Sequence, residues 1–403
     1  MGPLVLVLAL LYATLAALFA FTLRRDPSAR RVTRAPADRS WPSVDVVVPL
    51  HDEAQRVHAL VASLAAQDYP GTWHVYLVDD RSSDGTGAAL ERALQGDPRF
   101  TLLRIDTPSR RMAPKVHAVA TGIAAGSASW IATTDADCIH PASWLRELIA
   151  AATTSDVLVA GYVETARPGT VRGLLQAVEA IDWASLMLVN RALMRLGQSV
   201  ASSANNQVYR REAFERARGF GVAGRAPSGD EDLLVQRLGA LPGATVRFAD
   251  DPAVRVLTES QRTWAGFLRQ RRRWVSRYHH PQQYRPAFLA GIVLLGVHST
   301  ALTLATLALP WWVAGRPWVV GAWITVLAVV LPGMRYGLGL LGRNDLRGRW
   351  LLAWAVLHPL FIAGVSLASF VKPGSWRAGA GGYRRRWWRT QLRRRRLRRS
   401  GQW

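Results

Sequence analysis

The sequence predicts an α/β domain with a mostly parallel sheet, flanked by transmembrane helices. Short β-branched runs alternate with helical patterns over residues 44–260, which is typical of a parallel sheet covered by helices on both faces. Long apolar stretches precede and follow this region, and each is near the roughly 20 residues that cross a bilayer. We expect a transmembrane helix at 1–24, a basic linker at 25–43, the α/β domain at 44–260, an amphipathic interfacial helix at 261–285, transmembrane helices at 286–372 and an Arg/Trp-rich tail at 373–403.

The charge of the chain indicates a polyanionic neighbour. The formal net charge is +23 and the pI is about 11.4, so either nucleic acid or an anionic membrane surface fits the composition. The 17 tryptophans and the long uncharged stretches favour the membrane, because Trp gathers at bilayer interfaces. We therefore expect membrane lipids as partners and no nucleic acid. The single cysteine, Cys138, excludes an internal disulfide and a multi-cysteine metal site.

The first apolar stretch orients the chain. Residues 3–23 carry no charge, and four arginines follow within residues 24–31. A signal peptide is the rival interpretation, but no basic region precedes the apolar run. The positive-inside tendency places the following domain in the cytoplasm. We therefore expect a multi-pass protein of the cell membrane with the α/β domain in the cytoplasm.

The C-terminal third contains three apolar segments, at 288–313, 318–342 and 350–371. If all three cross, the tail with ten arginines in residues 384–399 lies outside, against the charge rule. Either the last segment does not cross fully, or the rule is violated here. We expect the first alternative, with a cytoplasmic tail, because His358-Pro359 should interrupt the helix.

Acidic residues follow three predicted strands of the α/β domain. Four strands are predicted, VDVVVPL, HVYLVDD, TLLRI and WIATTD, with helical patterns at 54–67, up to 94 and at 115–125; a cluster of acids lies at the end of each of them except TLLRI. Ligands of such sheets bind outside the carboxyl ends of the strands. The clusters at 51–53, 79–80 and 135–137 lie at those ends.

Paired carboxylates repel and raise each other's pKa, so a bound divalent cation or a solvated acidic loop explains each pair. Three acidic strand ends around one crevice favour the cation, for which hard oxygen ligands are suited. No phosphate-cradling glycine loop follows the first strand. The crevice therefore suits a ligand that brings its own metal, such as a metal-bound nucleoside diphosphate.

Two further motifs lie downstream. The acids at 230–232 open a helical pattern, where negative side chains complement the helix dipole. Three consecutive acids are more than the helix dipole requires, so one of them is a candidate general base. The following segment, RTWAGFLRQRRRWVSRYHH, has the pattern of a basic helix in a membrane interface. Gln270, Arg273 and Trp274 share one turn of it.

Taken together, these motifs resemble the membrane-embedded family 2 glycosyltransferases, the group that contains cellulose, hyaluronan and chitin synthases and several lipid glucosyltransferases. The motifs are VPLHDEA, VDDRSSDGT, DAD, DED and QRRRW, in this order between membrane spans. The resemblance covers about residues 44–280. One departure is Asp52, because the family usually has Asn before the glutamate.

The resemblance implies a GT-A fold, an inverting mechanism, a nucleotide-sugar donor and a Mg²⁺ or Mn²⁺ cofactor. Asp80 would meet a uracil-like base, Asp135 and Asp137 would bind the metal, and Asp232 would be the base, with Glu231 as the alternative. The implied donor-binding residues are Pro49, Glu53, Asp79, Asp80, Lys115, Asp135, Gln270, Arg273 and Trp274.

The acceptor remains open at this point. A transferase that adds one sugar from a UDP-sugar to a lipid hydroxyl is favoured, because the chain has few spans and a small domain without insertions. A processive polysaccharide synthase is the alternative. A non-enzymatic membrane protein that binds polyanions through the arginine tail is the rival class, but such a protein has no use for an acidic crevice.

Overall fold

The computed structural model describes residues 2–25, 40–221, 230–249, 251–275 and 284–369. Most of the predicted basic linker and the whole Arg/Trp-rich tail lie outside these residues. The strands are β1 (Val44–Leu50), β2 (Trp73–Asp80), β3 (Phe100–Ile105), β4 (Trp130–Thr133), β5 (Cys138–Ile139), β6 (Asp156–Gly161), β7 (Val163–Glu164), β8 (Gln207–Arg210), β9 (Thr245–Ala249) and β10 (Val256–Thr258). The helices are α1 (Gly2–Arg24), α2 (Val57–Ala65), α3 (Thr86–Leu94), α4 (Pro114–Ala125), α5 (Trp144–Ala150), α6 (Leu174–Arg195), α7 (Arg211–Arg216), α8 (Asp230–Leu238), α9 (Trp264–Val275), α10 (Pro286–Ala308), α11 (Arg316–Leu340) and α12 (Arg349–Ser369).

A seven-stranded sheet forms the centre of the α/β domain. Its strand order is β3-β2-β1-β4-β8-β6-β9, and only β8 runs antiparallel to its neighbours. All seven residues of β1 are buried, as expected for a strand covered on both faces. The predicted α/β architecture with a mostly parallel sheet is therefore confirmed.

Two apolar clusters cover the sheet. One face packs against α2 and α5, through residues such as Leu60 and Trp144. The other packs against α4 and α8, through residues such as Val119 and Leu234. The loops that follow β1, β2 and β4 therefore meet at one edge of the sheet, since these three strands are parallel neighbours.

Within the described residues, four helices, α1, α10, α11 and α12, are long and apolar enough to cross a membrane. α1 and α11 run parallel, because Gly2 lies against Trp318 and Ala20 lies against Gly333. α10 runs antiparallel to α1, and the rings of Tyr12 and His298 stack at 4.7 Å between centroids.

The expectation that His358-Pro359 interrupts the last apolar segment is wrong. α12 continues as one helix from Arg349 to Ser369, with Pro359 inside it. Proline removes one backbone hydrogen bond and crowds the preceding turn. Here the buried side chains of Trp354, Ala355 and Phe361 pack on the surrounding helices and hold the segment helical.

α12 is in contact with α10, and the loop before it is bound to the α/β domain. Arg343, just before it, bonds Asp345 and the carbonyl of Ala166 in the α/β domain, so α12 starts beside that domain. Near its other end, Ser366 lies against Gly296 in the middle of α10. Whether α12 crosses a membrane stays a prediction.

Candidate active site

The loops after β1 and β2 are held to each other by hydrogen bonds. Asp52 adopts a left-handed backbone conformation with φ of +56°, which Asn and Asp tolerate better than other side chains. Its carboxylate accepts the backbone N–H of Ser83 at 2.8 Å, and its own N–H donates to the Ser82 hydroxyl at 3.0 Å. Asp84 accepts the N–H of Ala54 at 3.0 Å. Asp52, where the family usually has Asn, therefore joins the loop after β1 to the loop after β2.

Asp79 and Asp80 are buried at the end of β2. Asp79 accepts the N–H of Ser82 at 3.1 Å. Asp80 is fully buried, and Arg81 donates to both of its carboxylate oxygens, at 2.8 and 3.0 Å. The predicted contact between Asp80 and a nucleobase stays a prediction.

Glu53 is engaged in a similar way. Its carboxylate binds Arg56, which also donates to Glu259 at 2.7 Å. These two carboxylates raise the pKa of Arg56, with the Glu259 hydrogen bond as the main cause. Glu53 therefore pairs with Arg56, and its expected role in donor binding stays a prediction.

The acidic pair after β4 has a different environment. Lys115, at the start of α4, binds Asp135 with 2.7 Å between Nζ and Oδ1. Burial raises the pKa of Asp137 to about 6, and the charges of Asp135 and Glu53 add to the effect. Two carboxylates therefore meet with their repulsion only partly neutralised.

One cavity of about 230 Å³ brings most of the predicted site together. It is open to the exterior and combines charged and apolar walls. The predicted site residues that line it are Lys115, Asp135, Asp137, Glu231, Asp232, Gln270, Arg273 and Trp274. Pro49 lines a small adjacent cavity together with Lys115, Asp135 and Glu231. Glu53, Asp79 and Asp80 are not among the residues that line either cavity.

The second acidic cluster opens α8, as the sequence predicts. Glu231 and Asp232 both line the large cavity, and Asp232 is 2% exposed. Glu231 also lines the small cavity beside Lys115 and Asp135. The geometry brings both candidate bases to the same space, so the choice between them stays a prediction.

The cavity also has apolar walls that were not predicted, with polar residues such as Asn190 and Ser202 among the other lining residues. Trp183, Leu186 and Met187 of α6 form one side, and Phe288 and Ile292 of α10 form another. α10 is one of the four helices long and apolar enough to cross a membrane. The cavity therefore combines a charged part, here called its charged end, that includes Lys115, Asp135 and Asp137, with an apolar part, its apolar end, formed by these residues of α6 and α10.

The charged end fits a divalent cation, although the described residues include no group of three or more Asp, Glu, His or Cys side chains placed to hold an ion. Asp135 and Asp137 supply hard oxygen ligands, and their mutual repulsion is relieved by added positive charge. Such an ion needs further oxygen ligands, which a bound diphosphate would provide. The two residues therefore suit a metal that arrives with its substrate.

Two acids of α6 were also missed. Glu179 and Asp182 are buried and lie one turn apart, and Asp182 pairs with Arg271 of α9. Two acids inside an otherwise apolar run (LLQAVEAIDWASLMLV) are the signal that could have identified them.

Comparison with known proteins agrees with these observations. The family model Glycosyl transferase family 2 matches residues 45–218. A Rhizobium meliloti protein named N-acetylglucosaminyltransferase is 26% identical over 266 residues, which are 64% of this chain and 60% of the relative. A Bradyrhizobium sp. (strain ANU 289) protein of the same name is 30% identical over 128 residues, which are 31% of this chain and 76% of the relative.

A solved structure supports the fold. The mannosyltransferase PcManGT from Pyrobaculum calidifontis, in complex with GDP-Man and Mn²⁺, matches with a TM-score of 0.56 and 20% identity. The match covers 92% of this chain and 99% of that one. The sheet, the motifs on its carboxyl edge and these relatives lead to one conclusion: the chain belongs to glycosyl transferase family 2.

Proposed function

We propose that the protein is an inverting membrane glycosyltransferase that moves a sugar from a nucleotide-diphosphate donor to a hydroxyl group of a lipid. The observation that carries the proposal is the cavity with two unlike ends. Its charged end combines carboxylates with Lys115 and Arg273, and its apolar end includes Phe288 and Ile292 of α10.

The charged end suits the diphosphate of the donor. Asp135 and Asp137 would hold Mg²⁺ or Mn²⁺, which when bound supplies positive charge to the departing diphosphate. Arg273 offers a forked set of N–H donors that matches phosphate oxygens. Gln270 and Trp274, one turn of α9, line the same wall. Because the curated relatives carry the name N-acetylglucosaminyltransferase, UDP-N-acetylglucosamine is the first UDP-sugar to test.

The acidic start of α8 suits the acceptor. A hydroxyl is a poor nucleophile and needs a base to take its proton as it attacks the sugar C1. Asp232 is the favoured base and Glu231 the alternative, since both line the same cavity as the proposed metal ligands and the apolar residues. Direct displacement by the acceptor inverts the configuration at C1.

The apolar end supports a lipid acceptor rather than a soluble sugar. Trp183, Leu186 and Met187 offer no charge, and Ile292 lies two turns into an apolar membrane helix. A sugar-only acceptor binds through hydrogen-bonding groups, whereas an alkyl chain gains from burying apolar surface. The lipid chain would lie between α6 and α10 while its hydroxyl reaches the acids of α8.

The orientation proposed is that of a multi-pass protein of the cell membrane with the α/β domain in the cytoplasm. The loop between α11 and α12 supports it, because Arg343 and Asp345 bind Ala166 and Gly169 of that domain. The arginines at the end of α1 lie on the same side, where Arg24 stacks over Tyr336. Positive charge on this side fits the cytoplasmic face.

Labelled nucleotide sugars test the proposal. Membranes containing the protein are incubated with a set of radiolabelled UDP- and GDP-sugars in Mn²⁺, and the products are partitioned between organic solvent, water and an insoluble fraction. Membranes containing Asp137→Ala are the control. We expect one donor to place its label in the organic fraction, and only with the wild-type protein.

Label in an insoluble or high-molecular-weight fraction would favour a processive polysaccharide synthase. Thermal melting verifies that the protein is folded. If the folded protein transfers no sugar from any donor, the enzymatic proposal is contradicted, and a non-enzymatic membrane protein that binds polyanions is favoured.

A further inference from the structure

Arg271 lies next to Gln270 in sequence but points away from the cavity, toward α6. Its side chain is almost fully buried, and its Nε donates to a carboxylate oxygen of Asp182. The Nη1 atom of the same guanidinium donates to the side-chain oxygen of Gln270 at 2.5 Å. One planar group therefore connects an acid of α6 with a residue that lines the donor end of the cavity.

The same guanidinium is surrounded by aromatic rings. It lies 4.2 Å from the ring centroid of Trp274 and 4.6 Å from that of Phe267. Trp274 in turn meets Trp183 of α6 edge to face at 5.0 Å. Because cations attract the faces of aromatic rings, Arg271 orients Trp274 as well as Gln270.

A second acid of α6 holds the start of the same helix. Glu179, one turn before Asp182, accepts the backbone N–H of Gln261 at 2.8 Å. α9 begins three residues after Gln261. α6 therefore fixes both the entry to α9 and the turn that carries Gln270 and Trp274.

A buried ion pair is a poor source of stability, because the desolvation of both charges opposes their attraction. Its geometry is more informative: the fork of Arg271 satisfies an acid, an amide oxygen and a ring at once. A lysine would carry the same charge, but its three donors sit on one nitrogen and cannot reach these partners in a planar fork. The arrangement therefore serves orientation.

We propose that Asp182 and Arg271 are positioning residues for the donor: through Arg271, the membrane-side helix α6 sets the orientation of Gln270 and Trp274 at the diphosphate end of the cavity. The inference rests on the proposed function, because it assigns the role of these residues in binding the nucleotide sugar. Neither Asp182 nor Arg271 lines the cavity, so both act through other residues.

Arg271→Lys is the main test, with Arg269→Lys as its matched control. Both substitutions keep the charge and lie in α9, but Arg269 is exposed. Purified full-length protein in detergent is assayed for transfer, and each rate is divided by the folded fraction from thermal melting. We expect Arg271→Lys to lower kcat/KM for the donor by about 10–100-fold, the effect of a misplaced binding group. The acceptor KM should stay near wild type, and Arg269→Lys should match wild type in both constants.

Asp182→Asn provides an independent variant if Arg271→Lys folds poorly. Because the two residues act as one unit, the double variant Asp182→Asn/Arg271→Lys should lose less than the product of the two single losses. Donor kinetics of Arg271→Lys or Asp182→Asn that equal those of Arg269→Lys, after correction for folded protein, would overturn the positioning role and leave the proposed function intact. A wild-type protein that transfers no sugar would overturn both.

Discussion

The acidic clusters that follow β2 and β4 look alike in the sequence and differ in the structure. The carboxylate of Asp80 is fully buried and bonded through both oxygens to Arg81. Asp137 instead lines an open cavity, and its pKa is raised to about 6 by burial and by the charges of Asp135 and Glu53. An acid with its own cation contributes to local structure, whereas an acid that lacks full neutralisation is suited to receive a charged ligand.

The comparison teaches that a count of acids overstates the size of a metal site. All three strand-end clusters lie on one edge of the sheet, as the order of β2, β1 and β4 requires. The loops after β1 and β2 use their aspartates on backbone N–H groups of each other. Of these three clusters, the one after β4 is the one that lines the large cavity, with the carboxylates of Asp135 and Asp137.

Asp137→Ala should have the largest effect on activity. We expect it to abolish sugar transfer and to remove the dependence of nucleotide binding on a divalent cation, because one of two proposed metal ligands is lost. The measurement is transfer and nucleotide affinity in Mn²⁺ and in EDTA. Wild-type activity of this variant in EDTA would show that the metal assignment is wrong.

Asp232→Asn comes next. We expect a loss of about two to four orders of magnitude in kcat, the usual contribution of a positioned base, with donor affinity nearly unchanged. Glu231→Gln is the matched control, since Glu231 lines the same cavity, and it should be milder. The reverse order would move the base to Glu231, and two mild effects would remove α8 from the chemistry.

The contrast between the acids after β2 and β4 predicts opposite effects on stability. Asp80→Asn should lower the free energy of unfolding by about 1–3 kcal/mol, because it weakens a charged, doubly bonded pair with Arg81. Asp137→Asn, which has the same shape change, should leave the melting temperature unchanged or raise it, because a crowded charge is removed. Equal melting temperatures for the two variants would contradict the difference in role between Asp80 and Asp137.

The arginine tail gives the prediction with the smallest effect on catalysis. We predict that α12 does not cross fully and that the tail is cytoplasmic, because Phe361, midway along α12, packs at 5.4 Å between ring centroids on Phe267 of α9, the helix expected to lie in the membrane interface. A cysteine at Ser400 in a Cys138→Ser background should resist a membrane-impermeant thiol reagent in intact cells and react after lysis. Labelling in intact cells would place the tail outside and restore four full spans.

Local patterns were enough to predict the strands and the motifs at their ends. β1 and β4 follow from short apolar runs, and the family motifs mark Asp135, Asp232 and Gln270. Contacts between distant parts of the chain were not predictable in this way. The apolar wall of the cavity needs α6 and α10 to meet, although they are more than 90 residues apart in the chain.

Two expectations, for Pro359 and for Asp80, depend on interactions that the local sequence pattern does not show. Pro359 was expected to end its helix, but the burial of its neighbours on several elements outweighs the loss of one backbone hydrogen bond. The interactions that decide this case are tertiary, so a local pattern could not have predicted them. Asp80 was expected to face a nucleobase, which stays a prediction; its pairing with the adjacent Arg81 was not predicted.

The central claim is that one cavity takes the donor at its charged end and a lipid at its apolar end. Ile292→Trp and Val293→Trp test it most directly, because they are adjacent in α10 but only Ile292 lines the cavity, while Val293 is 60% exposed on the outer surface of the helix. Sugar transfer to lipid and acceptor-independent hydrolysis of the same nucleotide sugar are measured for both. We predict that Ile292→Trp loses transfer and keeps hydrolysis, while Val293→Trp keeps both. Normal transfer by Ile292→Trp, or equal loss of transfer and hydrolysis, would contradict the claim.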